Sequence, residues 1–327
     1  MEFATSIENI SDCIQQARQA EQAEDRKQAL SLYHRAIELD NNNLDAYQGL
    51  GSLYFTQQDY DQALDSYISA VRIDPENAFL HLQLGQIAVV QNRLDDALAS
   101  YNYVIRLDPE GFKAYQALGN VQFTQQQFQF AEGSYKKAAD LGSQAPWLRF
   151  RLGRIAQQQQ QYDEAIQYFE EAIALNPENP AFHIACGQTY FQKSLLEEAA
   201  TAYSRAIALN KSSFQAHQLL GDVKFAQGRL RPAANYYQKA IELGSQAPWV
   251  RFKMGRIAQQ QKDLEQAVDY YQQAIALNPE NPQFHYHLGI AKAQQSDIEQ
   301  AAASYEKTLA LNPEHSKARE ALQSIRS

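Results

Sequence analysis

From residue 10 onward the chain alternates apolar and polar positions at the three- and four-residue spacing of amphipathic helices. Leu50, Tyr54, Ala63, Tyr67 and Ala70 trace one such series, which predicts two successive helices, each with one apolar face. The series then recurs along the chain. AIALNPENP stands at 172–180 and 274–282, GSQAPW at 142–147 and 244–249, and GRIAQQQ at 153–159 and 255–261. Those copies lie 102 residues apart, three lengths of 34. A 34-residue frame begun at 10 starts again at 44, 78, 112, 146, 180, 214, 248 and 282, without insertion or deletion. Such a period indicates a stack of supersecondary units, none of which can bury its apolar face alone.

Within the frame, position 8 is glycine in every copy from Gly51 to Gly289, and Ala17 in the first. Position 20 is alanine throughout, from Ala29 to Ala301. Position 24 is tyrosine from Tyr33 to Tyr305, except for Phe169. Pro75, Pro109, Pro177, Pro279 and Pro313 share position 32. Glycine costs roughly 1 kcal/mol in a helix interior, so its recurrence needs a packing reason. The expectation is a glycine facing an alanine, so that two helix backbones approach closely while the aromatic fills the adjoining gap. Proline ends the second helix of each pair and pre-sets the next. Where it is missing, Gly142 and Gly244 are the expected helix stops, with Pro146 and Pro248 as helix starts.

These residues resemble the tetratricopeptide-repeat (TPR) family, whose pattern of Leu-Gly, a Tyr-like residue, Ala, an aromatic, Ala and Pro fits the chain from 10 to 315. The resemblance implies an all-α fold: an α-solenoid, a right-handed superhelix of antiparallel helix pairs. Its first helices would line a concave groove that binds peptides or proteins. The organisation expected is a lead at 1–9, nine repeats forming one solenoid domain at 10–315, and a polar capping helix at 316–327. Two features depart from the family. Its aromatic at position 4 survives only as Tyr47 and Tyr115, and the first copy lacks both Leu-Gly and the proline.

Composition narrows the function. Lys and Arg total 29 against 38 Asp and Glu, a net charge of −9, which disfavours general nucleic-acid or anionic-lipid binding. Two cysteines, Cys13 and Cys186, build no disulfide framework. No apolar run reaches membrane-spanning length, and the first ten residues lack the features of a signal peptide. A soluble, cytoplasmic chain without direct membrane insertion is expected. His285 and His287, two apart, diverge on a helix and make a poor metal pair. His81, His183, His217 and His285 all occupy position 4, where packing between helices is the better reading. No phosphate-loop, zinc-protease or paired-cysteine signature is present. The reading is therefore a protein that is not an enzyme and needs no cofactor or metal.

The candidate binding face comes from the first helices. One stripe reads Trp147, Phe150, Arg151, Arg154 and Gln158; another reads Trp249, Phe252, Lys253, Arg256 and Gln260. Family analogy turns these positions toward the groove. They hold the two tryptophans of the chain, each beside two cations, the makings of an interface hot spot suited to an acidic segment or a terminal carboxylate. The competing reading has the tryptophans plugging gaps beside Gly142 and Gly244. No copy has Lys at position 5 with Asn at position 9, which argues against the clamp for chaperone tails found in some family members. The function expected is a scaffold, adaptor or assembly factor for protein or peptide partners. A regulatory or targeting module for an enzyme on another chain is the alternative, and RNA binding a distant one. Stacking of solenoid ends or convex faces leaves room for a homo-oligomer.

Overall fold

The computed structural model describes residues 9–326. Of the lead at 1–9, only Asn9 lies within them; it caps the first helix, its Oδ1 accepting from Asp12 N–H at 2.9 Å. Nineteen helices and no strand occur among the described residues. The first members of the pairs are α1 (Ile10–Gln22), α3 (Leu44–Thr56), α5 (Ala78–Val90), α7 (Phe112–Thr124), α9 (Pro146–Gln158), α11 (Pro180–Gln192), α13 (Phe214–Ala226), α15 (Pro248–Gln260) and α17 (Pro282–Gln294). Each begins at the first residue of a frame. Their partners are α2 (Arg26–Leu39), α4 (Tyr60–Ile73), α6 (Leu94–Leu107), α8 (Phe128–Asp140), α10 (Tyr162–Leu175), α12 (Leu196–Leu209), α14 (Leu230–Glu242), α16 (Leu264–Leu277) and α18 (Ile298–Leu311). A last helix, α19 (Ser316–Arg326), packs on α18 and buries Ala318 and Leu322.

The chain divides into two compact units, Met1–Leu148 and Arg149–Ser327. Within each, antiparallel pairs stack in sequence order, so each unit is an α-solenoid. First helices of neighbouring pairs touch, as α1 with α3 in the first unit and α11 with α13 in the second.

The recurring glycine does have a packing reason, but alanine is not its main partner. A Cβ on Gly51 would stand 2.7 Å from Tyr67, on Gly119 2.7 Å from Tyr135, on Gly153 2.6 Å from Phe169, and on Gly187 2.7 Å from Tyr203. Each glycine is the seat of the position-24 ring of its own pair, and those rings are almost fully buried. The position-20 alanines, from Ala29 to Ala301, are fully buried beside them. In the first pair Ala17 occupies the seat. There the Tyr33 ring lies against the next helix, where a Cβ on Gly49 would come 2.2 Å from it.

A second regularity lies in the turns within pairs. Frame position 15 is left-handed in every pair: Glu24, Gln58, Asn92, Gln126, Gln160, Ser194, Gly228, Lys262 and Ser296 all have φ between 58° and 72°. In the first of these turns Asp25 N–H donates to Ala20 O at 2.8 Å and Glu24 N–H to Glu21 O at 3.0 Å, the bonds that close a helix end through a left-handed residue. A side chain costs about 1–2 kcal/mol in that conformation, yet only Gly228 avoids the cost. Between pairs the stops are the expected ones. Gly142 (φ 90°) and Gly244 (φ 94°) end α8 and α14, with Ser143 N–H donating to Ala138 O and Ser245 N–H to Ala240 O. Pro146, Pro180, Pro248 and Pro282 open their helices.

The glycine seat gives a test of opposite signs. Gly187→Ala should lower stability by about 1–3 kcal/mol through overpacking against Tyr203. Gly133→Ala, in exposed helix with nothing within 4 Å of its Cβ position, should raise it by about 0.5–1 kcal/mol. Denaturant midpoints of the two variants check this, and a shift in the same direction for both would contradict the seat.

Candidate functional site

At frame position 4, three histidines and two arginines share one task. His81 Nε2 donates to Pro75 O at 2.8 Å, His183 Nε2 to Pro177 O at 2.9 Å and His285 Nε2 to Pro279 O at 2.8 Å; a carbonyl can only accept, which fixes the tautomer. Arg251 reaches Ser245 O at 2.9 Å and Arg319 reaches Pro313 O at 2.6 Å. Each pins a first helix to the loop six residues before it. These histidines are tethers with a packing role, and among the described residues no His, Cys, Asp and Glu group could hold a metal. Cys13 and Cys186 are free and buried. Burial, with a smaller effect of Glu170, pushes the Cys186 thiol up to about 12, so it stays protonated and unreactive at neutral pH.

In the first unit, Trp147 is half-buried near the start of α9, edge-on to Tyr135 with ring centroids 6.1 Å apart. A largely apolar cleft of about 430 Å³ opens elsewhere in that unit, lined among others by Phe79, Leu82, Val104, Phe112 and Lys113. Phe79 is 49% exposed there.

In the second unit, the rest of the α9 stripe divides. Phe150 packs on Phe169 and Phe182 at 5.6 and 5.1 Å, Arg151 is half-buried, and Arg154 and Gln158 are exposed. The α15 stripe divides the same way. Phe252 is 6% exposed and enclosed by Trp249, Tyr271, Phe284 and His287. It supports the site from beneath and offers a partner no surface, because the next first helix covers that side of the stripe. Trp249 stands above it, 46% exposed, edge-on to Phe252 and Phe284. Arg256 lays its guanidinium 5.3 Å from the Phe225 ring centroid, an arrangement that keeps a cation partly desolvated. Gln260 is exposed. Lys253 is neutralised: its Nζ lies 2.6 Å from Asp222 Oδ1, which also accepts from the Tyr237 hydroxyl at 2.8 Å. The sequence-predicted residues therefore come together as one exposed aromatic and one exposed-edge cation on α15, backed by a buried aromatic cluster.

Sequence reasoning missed the struts that hold this face. Gln157 Nε2 donates to Thr189 Oγ1 and Gln192 Oε1 at 3.1 and 3.2 Å, and Gln259 Nε2 to Gln294 Oε1 at 2.8 Å. Each bond ties one first helix to the next, and only the recurrence of Gln at position 12 in GRIAQQQ hinted at it. His287 was also missed as a titrating group. Burial, then the nearby charges of Arg256, His315 and Lys317, depress it to about 4.

The comparisons with known proteins fall on this fold. The family model of the Cilia and flagella-associated protein 70 C-terminal domain, a TPR domain, matches residues 109–324. TPR repeat models match 51–89 and 20–66. No curated protein sequence matches the chain. Among solved structures, YrrB, described as a TPR protein with an unusual peptide-binding site, is 22% identical with a TM-score of 0.52, covering 56% of this chain and 94% of its own. Pseudomonas aeruginosa pilF is 22% identical with a TM-score of 0.53, over 72% of this chain and 99% of its own. The APC/C hetero-tetramer Cut9–Hcn1 is 15% identical with a TM-score of 0.51, over 97% of this chain and 63% of the matched one. At such identities the likeness shows the fold. Among the described residues no helix is long and apolar enough to cross a membrane.

His287 gives a pH-dependent outcome. A histidine held at about 4 when folded and near 6.5 when unfolded takes up its proton more readily in the unfolded chain. Its contribution is intact above pH 6.5 and is lost as pH falls toward 4, on the order of 3 kcal/mol. Unfolding midpoints at pH 7 and pH 4 should show His287→Leu losing distinctly less stability than wild type; parallel losses would refute the assignment. With the matched models spanning most of its length, the chain belongs to the tetratricopeptide-repeat family.

Proposed function

We propose that the chain is a non-enzymatic, cytoplasmic scaffold or assembly factor that holds segments of partner proteins against the first-helix face of its stacked pairs. The TPR fold is in general a protein-interaction fold without catalysis, and protein or peptide partners go with it. The observation that carries the finer reading is Trp249, 46% exposed on a solenoid whose other aromatics of the same cluster are buried. Exposing a large ring above a rigid apolar base, with Arg256 one helical stripe away, leaves an anchor site of the kind that dominates interface energetics. Along α15 the binding set is Trp249, Lys253, Arg256 and Gln260, with Phe252 as the support. On α9, Trp147 in the first unit and Arg151, Arg154 and Gln158 in the second, with Phe150 beneath, are proposed as binding residues on the same grounds of register. The peptide-binding site of YrrB accords with this reading through the shared fold alone.

The test is affinity capture followed by mass spectrometry, comparing wild type with Trp249→Ala/Arg256→Ala. Because both side chains are partly exposed, helicity and melting should stay near wild type, while the principal captured protein falls by at least about tenfold, a loss of some 1.4 kcal/mol. Unchanged capture by a folded double variant would remove the site.

A further inference from the structure

Charge in the second unit is sorted by helix class. Its first helices, from the α9 residues onward together with α19, carry eleven Lys and Arg against only Asp222 and Glu320. Its second helices reverse the balance, with eleven Asp and Glu against four Lys and Arg. The first unit shows no such sorting: two basic and three acidic residues on α1, α3, α5 and α7, seven of each on their partners. The acidic total of the chain therefore hides a basic wall.

Part of that basic charge is internally spent. Arg149 pairs with Glu171 at 3.0 Å, Lys253 with Asp222, and Lys292 with Asp297 at 3.3 Å; Arg251 and Arg319 bind loop carbonyls. Arg154, Lys224, Arg256 and Lys317 form no ion pair among the described residues. They sit on three first helices, α9, α13 and α15, and on α19, and packed helices lie about 8–10 Å apart. A single terminal carboxylate cannot meet cations so dispersed. An extended chain, advancing about 3.3–3.6 Å per residue, crosses one helix spacing in about three residues and so meets these cations, which stand one or two such helices apart, every three to six residues or so.

We propose that the first-helix wall of the second unit docks an internal acidic segment of a partner protein, its carboxylates over Arg256 and the other uncompensated cations and an apolar side chain against Trp249. This rests on the scaffold reading and specifies its partner. A nucleic acid is the less fitting occupant. Its phosphates need a continuous basic track, whereas here the cations are separated by neutral Gln and His positions and backed by an acidic opposite wall.

The experiment uses the full chain and three fluorescently labelled probes in anisotropy titrations: a terminally blocked 15-residue peptide of Glu, Asp, Leu and Ser, its Gln/Asn counterpart, and a 15-nucleotide poly(U) RNA (probe lengths of roughly this size span the wall at the rise of an extended chain). The acidic peptide should bind at least about tenfold more tightly than the neutral one and weaken as salt rises. Arg256→Gln should reduce that binding about tenfold, while Glu299→Gln on the exposed face of α18 leaves it unchanged. Equal binding of the acidic and neutral peptides, no binding of the acidic one, or tighter binding of the RNA would each overturn the proposal. If capture of a cellular partner still depends on Trp249 and Arg256 while the two peptides bind alike, the acidic assignment fails and the scaffold reading stands; loss of both fails both.

Discussion

The contact on which everything else rests is an aromatic ring seated on a glycine across one helix pair. Eight first helices give up a side chain at position 8, accepting about 1 kcal/mol of helix propensity each, so that a ring from the partner helix can lie within van der Waals reach of bare backbone. That contact sets the distance within the pair. The ring then fills the space that the next pair closes, and the fully buried alanines at position 20 let the second helix come close enough to hold it. The first pair shows the constraint by exception. With Ala17 in the seat, the close approach of the Tyr33 ring to bare backbone falls on the following helix, at Gly49. The clearance is moved, not abolished.

Much of this could be read in the sequence because the period is unbroken. Helix starts at 10, 44 and onward, the glycine stops at Gly142 and Gly244, and the proline starts follow from residues whose local chemistry is unambiguous. The glycine's partner was not legible: a periodic pattern gives which residues share a face, and says nothing of which of two small-facing neighbours a missing Cβ makes room for. Nor was the left-handed turn residue, since eight of nine such positions hold a side chain and the usual glycine signal is absent. The position-4 tether was hidden for the opposite reason. His and Arg look unrelated in sequence, and only their shared reach to a carbonyl six residues back makes them equivalent.

The candidate face was legible as a stripe and illegible as a surface. Spacing places Trp249, Phe252, Lys253 and Arg256 together on α15, but Phe252 and Trp249 meet different surroundings because α17 brings Phe284 and His287 against one side of the stripe. The Lys253–Asp222 pair joins residues 31 apart on different helices, a relation that no single frame contains. Charge sorting escaped for a related reason: the composition averages two helix classes that face different ways.

Position 9 shows how stacking limits where a cation can be placed. A buried tyrosine hydroxyl needs an acceptor, and leaving it unpaired costs about 1–3 kcal/mol. Tyr135 finds Asn120 and Tyr237 finds Asp222, both at position 9 of their own pairs. An arginine there cannot accept. In the pair that carries Arg154, the ring is Phe169, which has no hydroxyl to satisfy. In the pair that carries Arg256, the Tyr271 hydroxyl donates instead to Gln259 at 2.8 Å, three residues further along the helix. A cation at position 9 is therefore tied to a compensating change beneath it, on the partner helix or one turn away. Arg154 and Arg256 of the basic wall are thus coupled to the core beneath them, and what position 9 presents is restricted to combinations the glycine-seated ring can tolerate.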